Sequence, residues 1–529
     1  MAEPAPKEST KKISASNDAP PSSSDLLIVN DQIKGRRSRE LIIGLCGPIG
    51  SGIHGVNLQL QRVLKDEGYD VVEIRVSQLI ENYISQVMPD VTIDSKNRSD
   101  RYECLMDAGN RLREKFGPGI CANLAISEIA LSREQSASGE TANNSLEGSK
   151  KEGLKKRAYI IDQLKHPAEF SALKSVYNNV FYLIGVLCDE QRRETSLTTE
   201  GIDKSQSHKL IVRDRKDNID HGQQLEKTLY NADFYINNTD PNSSSVASHI
   251  TRFLKLIHGG RSVTPTKKEI GMYAAYSASM QSACLSRQVG ASILDTDGNV
   301  LSTGRNDVPK FGGGLYSEDD NVSPQSKDYR CAHRDQRCHN DFHKLLLKDK
   351  IKEVLADYIE DDKVLSEVSD RINKETPIKS LIEYSRAIHA EMDAIVSVAR
   401  SGKSIQKGST LFTTTYPCHN CARHIIASGV GQVVYIEPYE KSLALKLHDD
   451  ALTHGADVHK VRLVPFQGVA PSRYQVFFSN TTPMKDDFGR VIVTDRDDQK
   501  LVDEEYIASY IEREMKVASA VIAEIEAGV

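Results

Sequence analysis

Two short motifs in the C-terminal half of the chain constrain its fold more than any other feature. The first is His389-Ala390-Glu391, and the second is Pro417-Cys418-His419-Asn420-Cys421. One imidazole and two thiolates give a zinc ion three protein ligands and leave its fourth position for water, as in catalytic rather than structural zinc sites. The chain is therefore expected to fold so that His389, Cys418 and Cys421 meet around one metal ion.

Glu391 follows the predicted histidine ligand too closely to bind the same ion from one helical face, so the spacing suits one ligand and one proton carrier. A small structural zinc knot is the competing interpretation, but it would need a fourth Cys or His in register and would leave Glu391 without a role. Pro417 is typical of a helix start, where the positive end of the helix dipole favours thiolates. H-x-E followed by P-C-x-x-C is the pattern of zinc-dependent nucleobase deaminases, with the glutamate as catalytic acid and base.

The chain is too long for one compact core, because 529 residues normally divide into at least two domains. The tail predicted at the N-terminus is rich in Pro and Ser, which is typical of disorder. The predicted organisation is a disordered tail at 1–37, an α/β domain at 38–260, the zinc domain at 261–483 and a C-terminal extension with an amphipathic helix at 484–529.

Charge and composition exclude several classes of partner. The chain has 68 Lys+Arg against 74 Asp+Glu and a formal net charge of −6, so it lacks the basic footprint of general nucleic-acid binders. No apolar run approaches the length of a membrane span, and the N-terminus lacks a signal-peptide core. The nine cysteines are scattered except around the motifs, as in proteins of a reducing cytosol. A cytoplasmic protein without membrane partners is expected.

The first domain begins with the apolar run 40–46, a predicted buried strand that leads into Gly47-Pro48-Ile49-Gly50-Ser51-Gly52-Ile53-His54 and then a helical pattern. Strand, Gly-rich turn and helix follow in the order of a phosphate-binding P-loop. Ile53 and His54 stand where a P-loop has Lys and Ser or Thr, so the phosphate clamp and the magnesium ligand are missing. The candidate phosphate-binding residues are Gly47, Gly50, Ser51 and Gly52. A tight strand–helix turn that binds no nucleotide is an equally weighted alternative.

Further strands of the first domain are predicted at 70–76, 158–162, 180–186 and 232–238. Their alternation with helices predicts a parallel sheet with crossover connections, in a P-loop kinase-like arrangement. In the zinc domain a helix is predicted at 267–286, then a hairpin with strands at 288–294 and 300–306 around an Asp-Gly turn. An insertion at 310–380 precedes the His389 helix, and strands are predicted at 433–437 and 461–466.

The zinc domain resembles the deoxycytidylate (dCMP-type) deaminase family over roughly residues 263–483. The matching segments are 284–291 (Cys-Leu-Ser-Arg-Gln-Val-Gly-Ala), 302–306 (Ser-Thr-Gly-Arg-Asn), 389–391, 417–421 and 434–439 (Val-Tyr-Ile-Glu-Pro-Tyr). The resemblance implies a three-layer α/β/α cytidine-deaminase fold, a catalytic zinc and a zinc-activated water that attacks C4 of cytosine. The degenerate P-loop domain ahead of it resembles the architecture of bacterial antiphage dCTP/dCMP deaminases, which implies depletion of the deoxycytidine nucleotide pool during infection.

The resemblance also implies substrate contacts. Asn306 matches the family position that contacts the sugar, and Tyr439 matches one near the base. Arg400, one turn beyond the centre of the His389 helix, is a candidate phosphate ligand. Family members usually carry Asn two residues after the glutamate, where this chain has Asp393.

The insertion is rich in metal ligands, with two Cys and three His between 331 and 343. Some dCMP-type deaminases hold a second, structural zinc with a cysteine aligned with Cys284. A second zinc bound by Cys284, Cys331, Cys338 and either His343 or His339 is therefore expected. Isolated surface thiols are the alternative interpretation.

Three functions compete. A free-nucleotide enzyme would convert dCTP or dCMP to the deoxyuridine nucleotide, either in antiphage defence or as a housekeeping source of dUMP. A polynucleotide cytosine deaminase would act on a flipped base, but the chain shows no basic, aromatic-rich channel for a strand. The third function is a nucleotide-sensing switch, in which a regulatory nucleotide or inhibitor at the N-terminal domain governs the other half of the chain. This third function is compatible with the first, and a homo-oligomer is expected.

Overall fold

The structure is a computed structural model of the chain. It describes residues 37–87, 93, 97–137, 155–215, 217, 221–240, 245–260, 262–321, 327–376, 378, 381–439, 442–479, 483–492, 501–502 and 505–528. The predicted tail at 1–37 lies outside these ranges except for Arg37, and so do residues 493–500 of the predicted extension. Among the described residues no helix combines the length and the apolar character needed to cross a bilayer.

The chain has a mixed α/β fold with two six-stranded sheets. The strands are β1 (Leu41–Cys46), β2 (Asp70–Arg75), β3 (Arg157–Asp162), β4 (Phe181–Leu187), β5 (Phe234–Asn237), β6 (Gly290–Leu294), β7 (Val300–Arg305), β8 (Thr410–Thr415), β9 (Gln432–Glu437), β10 (Leu452–Thr453), β11 (Val461–Pro465) and β12 (Gly468–Val469). The first sheet has the order β12-β5-β4-β1-β3-β2, and the second has the order β10-β11-β9-β8-β6-β7.

Helices connect and cover the strands. They are α1 (Ile53–Asp66), α2 (Val76–Val87), α3 (Arg98–Phe116), α4 (Ile120–Ala137), α5 (Pro167–Tyr177), α6 (Glu190–Thr199), α7 (Lys204–Arg215), α8 (Leu225–Leu229), α9 (Ser245–Ile257), α10 (Lys267–Ser279), α11 (Cys331–Arg334), α12 (His339–Ala356), α13 (Asp362–Glu375), α14 (Ala390–Arg400), α15 (His419–Ser428), α16 (Ala444–Leu447), α17 (Tyr474–Phe478) and α18 (Ile507–Gly528). We call the first sheet with α1–α9 and α18 the first module, and the second sheet with α10–α16 the second module.

The first module contains the predicted parallel sheet. β1, whose six residues are all buried, pairs in parallel with β3 on one side and with β4 on the other. Its burial on both faces explains why it reads as a continuous apolar run rather than an alternating one. The Gly-rich turn 47–52 follows β1 directly and leads into α1, as the strand–turn–helix pattern predicts.

Glycines let two helices approach opposite faces of the second sheet. A Cβ at Gly290 would clash with the backbone of Ala275 in α10, and a Cβ at Gly304 would clash with the backbone of Ala390 in α14. Gly304 pairs with Ala291, the neighbour of Gly290 in β6, and successive strand residues face opposite sides. The helices α10 and α14 therefore cover opposite faces, which confirms the three-layer arrangement.

The helix predicted at 267–286 ends earlier, at Ser279. The segment after it is tied to the end of β7 instead, because the Ser282 hydroxyl donates to the carbonyl of Asn306 at 2.5 Å. The Ala283 N–H also donates to Asp307 at 3.0 Å. These side-chain bonds replace the helical ones and carry the chain from α10 toward the pocket described below.

The two modules share a strand and a buried ion pair. β12, from a segment predicted to belong to the zinc domain, pairs antiparallel with β5 of the first sheet. The Val469 N–H of β12 donates at 2.8 Å to Glu269 of α10, which is fully buried and also binds Arg252 of α9 at 2.8 Å. The contact between the modules is thus made by backbone pairing and by an ion pair in which the Glu269 carboxylate is fully buried.

The C-terminal helix α18 packs on the first module through a buried ionic cluster. Arg133 of α4 binds Glu514 of α18 at 2.9 Å and Glu40 at 2.5 Å, and all three side chains are at most 1% exposed. The Tyr510 hydroxyl of α18 donates to the other Glu40 oxygen at 2.7 Å. Removing one partner from a buried ion pair leaves a charge that neither water nor protein stabilises.

We expect Arg133→Met to lower the free energy of unfolding by about 3–5 kcal/mol, because Glu40 and Glu514 would remain buried without their cation. Urea denaturation followed by circular dichroism measures the change. The matched control is Arg111→Met, at an exposed position of α3, which should shift stability by less than about 0.5 kcal/mol. A loss below about 1 kcal/mol in Arg133→Met would show that apolar contacts alone hold α18.

Candidate metal centre and catalytic pocket

Two helix N-termini of the second module converge on the predicted metal ligands. His389 is the N-cap of α14, and Cys418 is the N-cap of α15 with Cys421 in the first turn. The Cys421 N–H donates to the Cys418 sulfur at 3.5 Å, so the thiolate also serves as the helix cap. Free N–H groups and the helix dipole favour negative charge at such a position. The predicted helix start after Pro417 is confirmed, and Gly429 ends α15 with a positive φ of 84°.

The three ligand atoms fit one zinc ion. The His389 Nδ1 atom lies 3.4 Å from the Cys418 Sγ and 3.3 Å from the Cys421 Sγ, and all three atoms are within 4.8 Å of one another. Tetrahedral zinc, with its usual bonds of about 2.0–2.3 Å to nitrogen and sulfur, would separate such a pair of ligand atoms by about 3.5 Å. The donor set and its spacing therefore form a metal site suited to zinc, with one coordination position left for water.

Hydrogen bonding within this site gives the two thiols different pKa values. The pKa of Cys418 is lowered to about 4, first by its hydrogen bond with Cys421 and also by His389. The pKa of Cys421 is raised well above its ordinary value by the same bond and by burial. One sulfur is thus a thiolate without any metal, and a divalent cation between them would hold both as thiolates.

Glu391 lies beside the ligands without replacing any of them. The residue is only 4% exposed, and its Oε2 atom lies 3.3 Å from the Cys421 sulfur. Burial raises the pKa of Glu391, while the nearby His389 opposes the shift. A buried carboxyl with a raised pKa can both accept and return a proton near neutral pH, which suits general acid–base chemistry.

Two of the metal ligands, His389 and Cys418, line a pocket of about 210 Å³. Its lining is Cys284, Ser286, Arg287, Val289, Asn306, Asn340, Ile382, Ser385, Ala387, His389, Ala390, Glu391, Thr415, Tyr416, Cys418 and Tyr439. The structure therefore brings two of the three predicted substrate residues, Asn306 and Tyr439, to the same pocket as the metal ligands and Glu391.

Asn306 also supports the pocket wall. Its Oδ1 accepts the Val289 N–H at 2.7 Å, and its Nδ2 donates to the carbonyl of Arg287 at 2.8 Å. An amide offers both a donor and an acceptor, so one side chain holds the segment before β6 at both points. Asp393, at the position where the family has Asn, accepts the Arg305 N–H at 3.0 Å and so anchors the end of β7.

Arg400, the predicted phosphate contact, does not line this pocket. It lies at the last position of α14, whereas Glu391 lies in the first turn. Its guanidinium packs against the glycine turn at Gly313 and Gly314. A helix rises about 1.5 Å per residue, so the length of α14 separates this cation from the catalytic end.

The predicted second zinc site is not assembled. Among the described residues, Cys284, Cys331, Cys338 and His343 do not form a group of three ligands within 4.8 Å, and neither does the alternative with His339. Cys331 faces the Arg386 guanidinium at 3.8 Å, and Cys338 faces the Ser286 hydroxyl at 3.6 Å. The short helix α11 and the turn after it place each sulfur beside a different neighbour. Residues that could bind a metal are therefore close in the sequence here without lying close together in the structure.

Two side chains that the sequence analysis did not assign to the site, Asn340 and Arg287, also line the pocket. Asn340, at the second position of α12 in the insertion, donates to the carbonyl of Leu381 at 3.2 Å. Arg287 donates to the Thr415 hydroxyl at 2.6 Å and forms an ion pair with Glu437. Arg287 belongs to the matched segment 284–291, yet nothing in that segment indicates a charge at the pocket rim. No sequence pattern points to Asn340.

The Gly-rich turn of the first module borders a separate cavity of about 320 Å³, lined by Gly50, Ser51 and Gly52 among others. Protein groups already bind the turn: Asp214 accepts the Ile49 N–H at 2.7 Å, and Lys165 donates to the carbonyl of Gly47 at 2.9 Å. Lys165 and Asp214 also pair at 2.8 Å. A nucleotide phosphate at Gly47, Gly50, Ser51 and Gly52 remains a prediction.

Comparison with known proteins places the second module. Residues 265–437 match the model of the cytidine and deoxycytidylate deaminase zinc-binding region. The deoxycytidylate deaminase of Enterobacteria phage T2 is 32% identical over 168 residues, which are 32% of this chain and 78% of that protein. The deoxycytidylate deaminase of Enterobacteria phage T4 is also 32% identical over 168 residues, covering 32% of this chain and 76% of that protein.

Among solved structures, the dCMP deaminase of cyanophage S-TIM5 in complex with dCMP and dUMP matches at 21% identity with a TM-score of 0.22. The match covers 39% of this chain and 100% of that one.

Proposed function

This chain belongs to the cytidine and deoxycytidylate deaminase family, and we propose that it hydrolyses free deoxycytidine nucleotides to deoxyuridine nucleotides and ammonia. The observation that carries the proposal is the position of Glu391, which lines the same pocket as His389 and Cys418 and lies 3.3 Å from the sulfur of the third ligand, Cys421. Related phage proteins are deoxycytidylate deaminases, which supports a nucleoside monophosphate as one substrate.

The chain's own residues account for the proton transfers. Bound by His389, Cys418 and Cys421, zinc would act as a Lewis acid that lowers the pKa of a water toward neutrality. Glu391 takes one proton from the attacking water and delivers it to N3 of cytosine, and then carries the second proton, from the hydroxyl formed at C4, to the amino group. The water oxygen forms a bond to C4, the bond from C4 to the amino nitrogen breaks, and ammonia leaves with the second proton while the first remains on N3 of the uracil product.

The other pocket residues orient the nucleotide. Asn306 at the rim is proposed to contact the sugar, and Tyr439 is proposed to contact the base. These contacts would hold the cytosine base in a fixed orientation beside Glu391. Such orientation of the reacting groups can supply a large share of an enzyme's rate enhancement.

A polynucleotide substrate is the second candidate, and the pocket does not favour it. A residue of the insertion, Asn340, and two residues before α14, Ile382 and Ser385, line one wall of the 210 Å³ pocket. A strand would need a basic, aromatic-lined path on either side of the flipped base. The formal net charge of −6 also disfavours phosphodiester binding.

We expect the purified protein to deaminate dCMP with a kcat/KM at least about a hundredfold above that for cytosine in a single-stranded DNA oligonucleotide. Chromatography of the products measures both rates, and the matched control is a reaction with protein carrying Glu391→Gln. Comparable uracil formation in the oligonucleotide would move the function to the polynucleotide class.

We further propose that dCTP is a substrate and that the reaction depletes the deoxycytidine nucleotide pool during phage infection. The resemblance of the two-module architecture to antiphage deaminases supports this role, whereas a housekeeping supply of dUMP is the alternative. Nucleotide pools measured in infected cells with and without Glu391→Gln distinguish the two. A homo-oligomer and a regulatory nucleotide at the first module remain predictions.

A further inference from the structure

A large cleft lies between the two modules, next to the catalytic pocket. It has a volume of about 670 Å³. Its first-module wall includes Arg215 at the end of α7 and Lys227 in α8, and its second-module wall includes Arg287 before β6 and Glu437 at the end of β9. The cleft is therefore built from both halves of the chain, unlike the metal site.

The cleft and the catalytic pocket share side chains. Ser286 and Arg287 line both spaces. The Arg287 guanidinium donates to Thr415 of the pocket at 2.6 Å and pairs with Glu437 of the cleft, so it lies at the boundary. The charges of Arg287 and Arg215 both act on the hydroxyl of Tyr439, a pocket residue. The catalytic pocket and the cleft therefore adjoin at Ser286 and Arg287.

The cleft offers cations to an anionic group. Arg215, Lys227 and Arg287 carry three positive charges, whereas Glu226 and Glu437 are the carboxylates of its lining. Burial raises the pKa of Glu437 to about 7, and its hydrogen bond with Glu226 contributes to the shift. The three cations therefore outnumber the two carboxyl groups of the lining.

The position of the base decides which part of a nucleotide reaches the cleft. With the cytosine ring over Glu391 and the sugar at Asn306, the 5′ substituent must leave the pocket at its rim. Phosphates bind to arginine and lysine through charge-assisted hydrogen bonds, which are stronger than neutral ones. A 210 Å³ pocket has no comparable cluster of cations, since Arg287 is the one Arg or Lys in its lining.

We propose that the inter-module cleft holds the 5′-phosphate end of the substrate, with Arg215 and Lys227 of the first module binding it beside Arg287. The inference rests on the proposed deamination of free nucleotides and adds a role for the first module, which supplies part of the substrate site. The two modules must then be held in one arrangement for tight nucleotide binding. The shared strand β12 and the buried pair of Arg252 and Glu269 provide that connection.

The test uses full-length protein and the variants Arg215→Gln, Lys227→Gln and their combination. Steady-state kinetics with dCMP and dCTP should show KM raised by about tenfold or more in the double variant, with kcat within about threefold of the parent. Inorganic triphosphate should inhibit the parent competitively against dCMP, and its inhibition constant should weaken by about tenfold in the double variant. The matched control is Lys209→Gln, an exposed lysine on the same helix as Arg215, for which both constants should stay at parental values.

The possible results distinguish the placement of the phosphate from the proposed deaminase function. Turnover of dCMP with an unchanged KM in a folded double variant would overturn the placement of the phosphate and leave the deaminase function intact. If Arg215→Gln lowers the melting temperature, the Lys227→Glu variant replaces it in the test. Lys227 is exposed, so its charge can be reversed without a packing cost. An unchanged KM for dCMP in Lys227→Glu would also overturn the inference. A parent protein that converts no deoxycytidine nucleotide would overturn the proposed function itself.

Discussion

Glu391→Gln is expected to lower kcat for dCMP by about a hundred- to ten-thousandfold, the usual contribution of a positioned general acid and base. The amide keeps the size of the carboxyl group and can still accept a hydrogen bond, but it cannot take a proton from water and return it to the base. Since Glu391 is buried against the Cys421 sulfur and is not a proposed ligand, zinc should remain. Stopped assays for ammonia and metal analysis by mass spectrometry measure the two properties on one sample.

Asp393→Asn is the matched control for Glu391→Gln. It makes the same change from acid to amide, two residues further along α14 and also in a buried side chain. The amide oxygen can still accept the Arg305 N–H that Asp393 accepts, so kcat should stay within about threefold of the parent. A Glu391→Gln protein that retains a tenth of the parental kcat, with zinc present, would remove Glu391 from the proton path.

The second large effect is expected from Cys421→Ser, which should lose both bound zinc and deamination. A serine hydroxyl is a far poorer zinc ligand than a thiolate, and two remaining ligands do not hold the ion against dilution. Cys421 is fully buried and contacts both His389 and Glu391, so the polar replacement would also lie beside an uncompensated carboxyl. Zinc content and activity should fall together, to below about a tenth of the parent.

Cys104→Ser provides the comparison for Cys421→Ser. Cys104 is a half-buried free cysteine of α3 in the first module, so its replacement controls for loss of a thiol without touching the metal site. A full equivalent of zinc in Cys421→Ser, after dialysis against a weak chelator, would mean that another side chain replaces the sulfur.

The catalytic centre could be predicted because its ligands sit at helix starts that short motifs specify. The spacing of Cys418 and Cys421 predicts one helical face, and H-x-E separates a ligand from a proton carrier. The strand–turn–helix at the start of the first module and the Asp-Gly hairpin between β6 and β7 follow from equally local patterns. In each of these cases, the residues that interact are within a few positions of one another or are tied to one metal ion.

The arrangements that the sequence did not predict depend on contacts between distant parts of the chain. Arg400 was placed by its motif neighbours, yet the length of α14 carries it away from the pocket. The cysteines of the insertion are close together in the sequence, but the turn between them places each sulfur beside a different neighbour. Secondary structure spacing does not determine where a helix end or a loop side chain points once the chain has packed.

The sequence by itself predicted two α/β modules, the three residues of the metal site and the glutamate proposed as proton carrier, since periodicity and short motifs encode local geometry directly. Tertiary structure decided the rest: the pairing of β12 with the first sheet, the docking of α18 through Arg133, and the cleft that brings Arg215 and Arg287 together. These arrangements depend on which apolar faces and buried charges can satisfy one another in three dimensions. No local sequence pattern predicts these contacts, because the residues that make them lie far apart along the chain.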